Sequence, residues 1–496
     1  MSARDKVREH WASLGTAGKR VGRTTAPRPA GGPAGSPSAS PAAPTYTPFK
    51  LVHSAVFDGP GSSPNCPTFS LETILASPNL TEIWLFSFGF QTDLFMPLVK
   101  DHVQVHIVGQ LNTIQSDVPL HHFQNLSVHK VDIGARYGCH HAKIIFAFYK
   151  NGHMQMHLPS FNLAREEINL VQQVAWSSPV LYERVGTVPA TESGLFYHEL
   201  IQFLKSYPDY CALSPLIASL ARYKWHVLDH QNCQFVYSTP SNGGLQQLKK
   251  CLQRSSSSIN AHDDESSSYP NLFVQVSSMG NPFRKNRDLL QDVFIPYLYT
   301  DWFEHDDFDK KLKSPNYTSP FLAHSTILWP TTNEMNRCMT QGLSAGWFFY
   351  NKSHQTASKV LPCLRKHPPL RPNASQSQAN RHMVPSHTKY YIQYTDENSI
   401  HCPDWLLLTS HNLSQAAWGP TPLRKPMNYE CGVLYTSTLG PHRVNLALHS
   451  AFESANPRPT PKPNNQSHPT VNIITPYPLK LDRYSSTDTP HTTTMA

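Results

Sequence analysis

A short pattern of histidine, lysine, serine and asparagine occurs twice in this 496-residue chain. The first copy is His141–Lys143 (His-Ala-Lys), followed by a strand-like apolar run and then by Ser160–Leu163 (Ser-Phe-Asn-Leu). The second copy is His387–Lys389 (His-Thr-Lys), followed by another apolar run and then by Ser410–Leu413 (Ser-His-Asn-Leu). An internal repeat of this kind predicts two similar lobes.

The residue types in this pattern suit chemistry on a phosphate. In a β-strand, residues two apart point to the same face, so His-x-Lys presents an imidazole and an ammonium group together. Imidazole acts as nucleophile, acid or base near neutral pH, and lysine is a compact cation suited to a phosphoryl oxygen. If the two copies face each other, one histidine can attack phosphorus while the other protonates the leaving oxygen. The lysines and amides would balance the developing charge, so the pattern predicts neither metal nor cofactor.

Each element taken alone has a plainer interpretation. The chain has 27 histidines, and a lone His-x-Lys more often contains a solvated or core histidine. The run Cys139–His141 could suggest a metal site, but its spacing matches no zinc signature. The duplication with a matched Ser-x-Asn-Leu is what favours the chemical interpretation.

The segments between these residues alternate between strand-like and helix-like patterns, which predicts an α/β fold. Helices are predicted after Thr68 or Ser70 as N-cap, from Gly194 and from Asp288. Strands are predicted at residues 82–88, 103–108, 143–149, 234–238, 272–276, 326–329, 405–408 and 432–435.

The bulk composition limits the class of protein. Lys plus Arg exceed Asp plus Glu by 42 to 34, and this net charge of +8 permits a polyanionic partner without requiring one. The nine cysteines form no CxxC pair, which argues against a zinc ribbon and fits a reducing compartment. No apolar run reaches the ~18 residues of a membrane helix, and no secretory signal begins the chain, so we expect a soluble intracellular protein.

Composition also divides the chain into four parts. Residues 1–44 are rich in Pro, Ala, Gly and Ser and are predicted to be a disordered arm. The first lobe is predicted at 45–224 and the second at 225–456, with the active site in the cleft between them. Residues 457–496 are rich in Pro and Thr and are predicted to be an irregular tail.

Two His-x-Lys motifs followed by Asn resemble the tyrosyl-DNA phosphodiesterase family, of the fungal type, within the phospholipase D superfamily. The commoner branches of that superfamily carry Asp four residues after the Lys. The resemblance extends over roughly residues 46–490 and implies two phospholipase D-like lobes, each a mixed sheet flanked by helices, related by a pseudo-two-fold axis. Its most specific block is Thr409–Gly419 (TSHNLSQAAWG), and the other matching blocks are Tyr137–Lys143, Asn428–Leu434, Val276–Gly280 and Ile327–Thr331.

The resemblance implies a role for each matching residue. His141 would be the nucleophile on phosphorus, and His387 would be the general acid that releases tyrosine and then the base that activates water. The groups that would hold the non-bridging oxygens are Lys143, Lys389, Asn162 and Asn412.

Four further residues match supporting positions of the family. Glu430 is expected to fix the tautomer of His141, and neutral Gln173 to support His387; the plainer alternative for Glu430 is an exposed charge at a strand end. Tyr137 is expected to stack on a base and Ser278 to contact a phosphate, unless either simply packs.

The resemblance implies a DNA-repair enzyme that hydrolyses 3′-phosphotyrosyl adducts, such as those derived from topoisomerase I, and related 3′ adducts. It would act on single-stranded or nicked DNA ends through a covalent phosphohistidine and leave a 3′-phosphate. We expect a monomer, because both half-sites lie in one chain, and a nuclear location, which the substrate implies. The alternatives are another phosphodiesterase or nuclease of the superfamily and a non-catalytic scaffold, which would have lost at least one His or Lys.

The chain departs from the family pattern at four places. Phe161 stands where a small residue is frequent, and Ser386 separates Pro385 from His387. Gln415 stands where lysine is common, which would weaken a phosphate contact. The C-terminus lacks the expected Pro-Trp. None of these departures removes a predicted catalytic residue.

Overall fold

The fold is described from a computed structural model of the protein. The structure describes residues 43–493 except for fifteen internal gaps, namely 59–63, 65, 135–137, 185–193, 256–268, 281–287, 301, 304–318, 341, 352, 354–359, 370–374, 396, 420–423 and 453–467. The predicted N-terminal arm therefore lies almost wholly outside the described residues. No described helix is both long and apolar enough to cross a membrane.

The first half of the chain builds one large mixed sheet. The labelled strands are β1 (Phe49–Val52), β2 (Leu80–Phe86), β3 (Gln104–Gly109), β4 (Leu126–Lys130), β5 (Ile144–Tyr149), β6 (His153–Pro159) and β7 (Val174–Ser177). Their spatial order in the sheet is Thr68–Phe69, β1, β7, β6, β5, β2, β3, β4, and the short strand Leu181–Tyr182 also pairs with β6.

The second half builds a sheet of the same kind. The strands are β8 (Cys233–Ser238), β9 (Asn271–Gln275), β10 (Ser325–Leu328), β11 (Leu364–Lys366), β12 (Tyr390–Tyr394), β13 (Trp405–Thr409) and β14 (Glu430–Thr436). Their spatial order is β8, β14, β13, β12, β9, β10, β11, with Asp482–Arg483 at the far edge.

The two sheets share one topology, which confirms the two-lobed α/β fold. In the first, β2, β3 and β4 run parallel, while β5 is antiparallel to both β2 and β6. In the second, β9, β10 and β11 run parallel, while β12 is antiparallel to both β9 and β13. Each His-x-Lys motif therefore comes directly before the matching central strand, β5 or β12, and each Ser-x-Asn motif adjoins the end of the next strand.

Helices cover the sheets and begin where the sequence predicts. The described α-helices are α1 (Leu71–Leu75), α2 (Thr92–Phe95), α3 (Arg165–Leu170), α4 (Leu195–Lys205), α5 (Ser214–Leu220), α6 (Gly244–Arg254), α7 (Ile295–Tyr299), α8 (Thr332–Arg337), α9 (Gln376–Arg381) and α10 (Gln415–Trp418). Ser70 caps α1 by accepting a hydrogen bond from the backbone N of Thr73 at 3.3 Å, and the predicted amphipathic helix after Gly194 is α4. A π-helical turn at Leu290–Phe294 precedes α7, in the segment predicted as helical from Asp288.

One hydrophobic core is shared by both lobes. Trp84 and Trp176 of the first sheet and Tyr435 of the second belong to the same buried cluster. The indole Nε1 of Trp176 donates a hydrogen bond to the Tyr435 hydroxyl at 2.9 Å, which satisfies both polar atoms inside this core. Burial of each large apolar side chain contributes ~1.5–3 kcal/mol, so this shared core holds the lobes together as one body.

The predicted irregular tail contains a buried strand, which corrects that part of the sequence interpretation. Thr470–Thr475 pairs in parallel with both Asn445–Ser450 and Thr45–Tyr46, so that the two ends of the described chain lie in one three-stranded sheet. The Pro- and Thr-rich composition hid this strand, although Val471 and Ile473 alternate with polar residues and are fully buried. The lobe boundary near Lys224 stays a prediction.

A buried ion pair joins the lobes close to the second motif. The guanidinium group of Arg381, at the end of α9, donates to both carboxylate oxygens of Asp58, at 3.0 and 2.5 Å, and to the carbonyl oxygen of Val52 at 3.1 Å. The side-chain amide of Gln172 donates to the carbonyl oxygens of Arg381 and Val384, both at 2.9 Å. These contacts fix the backbone just before His387 against the first lobe.

We predict that Arg381→Met lowers the melting temperature strongly, because it leaves the Asp58 carboxylate buried without its partner, at a cost of about 3–5 kcal/mol. Thermal unfolding followed by circular dichroism measures the shift, and adding Asp58→Leu should recover much of it. The matched control is Arg222→Met at the exposed pair with Glu183, which should change stability by less than ~1 kcal/mol. Equal shifts in the Arg381 and Arg222 variants would contradict the assigned role.

Candidate active site

Two pairs of backbone hydrogen bonds bring the motifs together at the junction of the lobes. The amide of His141 donates to the carbonyl oxygen of Tyr429 at 2.9 Å, and the amide of Tyr429 donates to the carbonyl oxygen of Cys139 at 3.1 Å. In the same way, the amide of His387 donates to the carbonyl oxygen of Gln172 at 2.9 Å. The amide of Gln172 donates to the carbonyl oxygen of Pro385 at 3.0 Å. Each His-x-Lys motif is thus joined to a strand end of the other lobe.

The first histidine is held by a carboxylate from the second lobe. His141 Nδ1 lies 2.7 Å from Oε2 of Glu430, which is only 1% exposed. That carboxylate also accepts from the Ser410 hydroxyl at 2.5 Å and from Asn428 Nδ2 at 2.9 Å. The predicted contact between Glu430 and His141 is therefore present, and the plainer interpretation of an exposed charge is wrong.

The ionisation of this pair follows from its surroundings. Burial alone would raise the pKa of Glu430, but the contact with His141 and the charge of Lys143 hold it at about 2. Burial lowers the pKa of His141, partly offset by Glu430. At neutral pH a neutral imidazole therefore donates Nδ1–H to a carboxylate. This tautomer leaves the lone pair on Nε2, which makes no hydrogen bond among the described residues.

The second histidine is held by two groups of the first lobe, one of which the sequence did not reveal. His387 Nδ1 lies 3.3 Å from Nε2 of Gln173, as expected, but it also lies 3.1 Å from Oε1 of Glu167. The expectation that neutral Gln173 alone supports His387 is therefore incomplete. Glu167 is 2% exposed, and His387 and the Lys143 charge lower its pKa to about 2 although burial would raise it.

Glu167 also anchors the first asparagine. Its carboxylate accepts from the backbone N of Asn162 at 2.7 Å and from Asn162 Nδ2 at 2.8 Å. Asn162 Oδ1 in turn lies 3.3 Å from the hydroxyl of Ser87. One carboxylate therefore links a predicted phosphate ligand of the first lobe to the histidine of the second.

The second asparagine is oriented differently. Its Oδ1 accepts from the backbone N of Ser278 at 3.0 Å, from the backbone N of Ser277 at 3.2 Å and from the Ser277 hydroxyl at 3.3 Å. These three bonds fix which end of the Asn412 amide is the oxygen. Nδ2 makes no hydrogen bond within the described part of the chain, so it is left as a donor for a ligand.

The two lysines are buried beside the histidines that precede them. Lys143 Nζ donates to the carbonyl oxygen of His141 at 3.1 Å. Lys389 Nζ lies 2.7 Å from the carbonyl oxygen of His387 and 3.1 Å from its Nε2. Burial lowers both lysine pKa values, and the charge of Lys143 lowers the pKa of Lys389 further.

Ser160 and Ser410 also match across the two lobes, and they are two site residues that the sequence interpretation does not include. The Ser160 hydroxyl donates to Gln173 Oε1 at 2.5 Å and accepts from the backbone N of Val174 at 3.0 Å. The Ser410 hydroxyl donates to Glu430 Oε2 at 2.5 Å and accepts from the backbone N of Cys431 at 3.0 Å. Each serine thereby fixes the residue that supports a histidine. The recurrence of Ser two residues before Asn in both copies is the sequence feature that could have indicated this role.

Two departures from the family pattern are accommodated in the structure. Phe161 is fully buried and contacts the Phe69 ring, with 6.0 Å between ring centroids, so its bulk is taken up by the core. The carbonyl oxygen of Ser386 accepts from Gln275 Nε2 at 2.6 Å, which anchors the residue before His387. Tyr137 lies outside the described residues; the described aromatic ring beside His141 is Phe88, at a centroid distance of 6.0 Å.

The arrangement supplies a nucleophile, an acid or base and charge neutralisation at one point. Two imidazoles each have Nδ1 against a carboxylate, so both Nε2 atoms are the reactive ones. Two ammonium groups lie beside them, and their two positive charges balance the two negative charges of Glu167 and Glu430. No described cluster of three or more His, Cys, Asp or Glu side chains has a geometry that could hold a metal ion.

Comparisons with known proteins agree on one family. The family model described as "Tyrosyl-DNA phosphodiesterase" matches residues 50–485. Tyrosyl-DNA phosphodiesterase 1 of Saccharomyces cerevisiae is 29% identical over 398 residues, which is 74% of this chain and 71% of that protein. Tyrosyl-DNA phosphodiesterase 1 of Arabidopsis thaliana is 26% identical over 66% of this chain and 52% of that protein.

The fold agrees as well. The crystal structure of the yeast tyrosyl-DNA phosphodiesterase superimposes with a TM-score of 0.69 at 25% identity, covering 90% of this chain and 99% of that one. With a family match over most of the described residues and a shared two-lobed fold, the chain belongs to the tyrosyl-DNA phosphodiesterase family.

Proposed function

We propose that this chain hydrolyses 3′-phosphotyrosyl and related 3′ adducts from DNA ends, through a covalent phosphohistidine. The observation that carries the proposal is the pair of histidine–carboxylate contacts exchanged between the lobes, with two buried lysines beside them. This set matches the requirements of a two-step displacement at phosphorus, in which one group attacks and another transfers protons.

In the first step, His141 Nε2 attacks phosphorus and the bond to the tyrosine oxygen breaks. The imidazole becomes a phosphorylated cation, which the Glu430 carboxylate at its Nδ1 stabilises. Protonated His387 gives the proton on Nε2 to the departing phenolate oxygen, so that tyrosine leaves neutral. His387 ends this step uncharged, ready to accept a proton.

In the second step, water attacks the same phosphorus and the bond from phosphorus to His141 breaks. His387 takes the proton from that water, and His141 returns to the neutral imidazole hydrogen-bonded to Glu430. The DNA product carries a 3′-phosphate. Protons balance over the cycle, because the one that His387 lends in the first step is recovered in the second.

The charges on the phosphate are balanced by fixed groups. Lys143 and Lys389 are the cations, and Asn412 Nδ2 is an uncommitted donor close by, whereas Asn162 shares its Nδ2 with Glu167. Burial lowers the pKa of His387 to about 4, and the Lys389 cation, which contacts His387 Nε2 in the free protein, adds to this effect. When a phosphate binds, the Lys389 ammonium group would contact the phosphate instead of His387. The loss of this contact and the negative charge of the phosphate would both raise the pKa of His387 and favour its protonated form.

The remaining parts of the proposal concern substrate context and cellular setting. The substrate would be a single-stranded or nicked DNA 3′ end with attached tyrosine or peptide, and the net charge of +8 is compatible with it. We also propose a monomer, since one chain supplies both half-sites, and a nuclear location, which follows from the substrate. Another phosphodiesterase or nuclease activity of the superfamily is the competing outcome.

Cleavage of a single-stranded oligonucleotide bearing a 3′-phosphotyrosine, assayed in EDTA, tests the reaction. Wild type should release the 3′-phosphate oligonucleotide. His141→Ala should abolish cleavage, because the nucleophile is gone, and His387→Ala should be slowed by about 10²–10⁴-fold, because the acid and base are lost.

The covalent intermediate gives a second readout of the same experiment. His387→Ala should accumulate a protein–DNA adduct that denaturing gels resolve, since hydrolysis of the phosphohistidine lacks its base. His102→Ala, at an exposed histidine in the turn before β3, is the matched control and should behave as wild type. Failure of folded wild type to cleave, or equal activity in His141→Ala, would refute the proposed reaction.

Replacement of Glu167 tests the unexpected contact with His387. The carboxylate raises the pKa of His387 against the effect of burial, so Glu167→Gln should lower that pKa. Because the first step needs protonated His387, activity falls as pH rises through this pKa. The alkaline limb of the kcat/KM profile should therefore move to lower pH, by about one unit or more.

Glu166→Gln is the matched control, since the Glu166 carboxylate accepts from Gln91 Nε2 at 2.9 Å. Its profile should coincide with that of wild type. A lower rate for Glu167→Gln with an unmoved alkaline limb would mean that Glu167 acts only through the placement of Asn162.

A further inference from the structure

A strip of uncommitted groups leads away from the reactive histidines along the second lobe. Asn412 Nδ2 is the first, and the Ser278 hydroxyl, which makes no hydrogen bond to any described residue, is the second. The third is the Phe349 ring, which is 47% exposed. Its neighbours in sequence, Phe348 and Tyr350, are both 1% exposed, so Phe349 is the member of this aromatic run that meets solvent.

Backbone pairing fixes the order of the three groups. Ser278–Met279 and Phe349–Tyr350 form a parallel pair in which Ser278 lies directly opposite Phe349. The amide of Phe349 donates to the carbonyl oxygen of Ser277 at 3.0 Å, and Ser277 in turn holds Asn412. Because directly opposed residues on neighbouring strands have their side chains on the same face, the Phe349 ring and the Ser278 hydroxyl share one surface.

A close approach of two chain segments completes the strip. The backbone N of Gly280 donates to the carbonyl oxygen of Leu413 at 2.9 Å. A Cβ at Gly280 would lie only 2.9 Å from Cβ of Ser414, so a larger residue would force the segments apart. The strip is therefore a fixed extension of the segment that contains Asn412.

We propose that Phe349 is a stacking platform for a nucleobase 5′ to the scissile phosphate, with Ser278 bound to the phosphate between them. This inference rests on the proposed function and extends it from the reacting phosphate to the DNA strand. An exposed aromatic ring stacks on any base, which suits an enzyme that must accept every DNA end sequence.

The chemistry around the strip favours nucleic acid over peptide. The segments 276–280, 345–350 and 411–419 contain no acidic residue that would repel a phosphate. Two exposed cations, Arg424 and Lys425, precede Met427, whose amide donates to the carbonyl oxygen of Ala416 at 2.9 Å. Gln415 stands where the family often has lysine, so a phosphate contact of that lysine is absent here. Stacking of a base on Phe349 would offset the loss of this contact.

The test compares two substrates with the same kind of reacting phosphate. One is a single-stranded oligonucleotide with a 3′-phosphotyrosine, and the other is a single nucleotide with a 3′-p-nitrophenyl phosphate, which cannot reach the platform. Phe349→Ala should reduce kcat/KM on the oligonucleotide about tenfold more than on the single nucleotide, equal to about 1.4 kcal/mol. Phe349→Trp should retain the preference for the oligonucleotide, and Tyr182→Ala, at an exposed aromatic residue of the first lobe, should change neither substrate.

Two results would overturn the proposal. Equal losses on both substrates would mean that Phe349 supports only the local fold. A loss that grows with the length of an attached peptide, and not with the length of the DNA, would assign the strip to the peptide side.

Binding of a fluorescent oligonucleotide with a plain 3′-hydroxyl, followed by anisotropy, separates this proposal from the catalytic one. Weaker binding by Phe349→Ala than by wild type supports the platform even if no tyrosyl adduct is cleaved. Unchanged binding overturns the platform even if cleavage is efficient.

Discussion

The exchange of carboxylates between the lobes is the contact on which the site depends. Glu430 of the second lobe fixes His141 of the first, and Glu167 of the first lobe fixes His387 of the second. Neither imidazole would hold its tautomer without the opposite lobe. The shared aromatic core and the buried Arg381–Asp58 pair therefore matter for chemistry as well as stability, because they fix the distance across which these hydrogen bonds form.

Burial of this many charges is costly unless they compensate one another. Lys143, Lys389, Glu167 and Glu430 are each at most 2% exposed, and their charges sum to zero. Such a set tolerates low dielectric surroundings because every charge has an opposite one nearby and hydrogen bonds satisfy its polar atoms. The same surroundings strengthen the attraction of the lysines for a phosphate that displaces water.

The residues that meet at the candidate site could be predicted from the sequence because the motif occurs in duplicate. His-x-Lys and Ser-x-Asn recur at matching places, and their strands, β5 and β12, have clear apolar patterns. Glu167 could not be found this way, because it has no counterpart in the second copy and its contact with His387 exists only after the lobes dock. The strand Thr470–Thr475 could not be predicted, because the segment around it is rich in Pro and Thr. Its alternation of apolar and polar residues is too short to indicate a strand by itself, and the strand is stabilised by pairing with its neighbours.

The matched backbone bridges at Tyr429 and Gln172 have a consequence for symmetry. Two identical lobes joined through these same bridges would place identical groups beside both histidines. In this single chain the two halves are encoded separately, so matching positions can differ. Glutamate stands at 430 and glutamine at the matching position 173, and Glu167 is added on one side only. The two imidazoles therefore have unequal surroundings, which a symmetric pair of lobes could not provide and which the proposed division of roles between them requires.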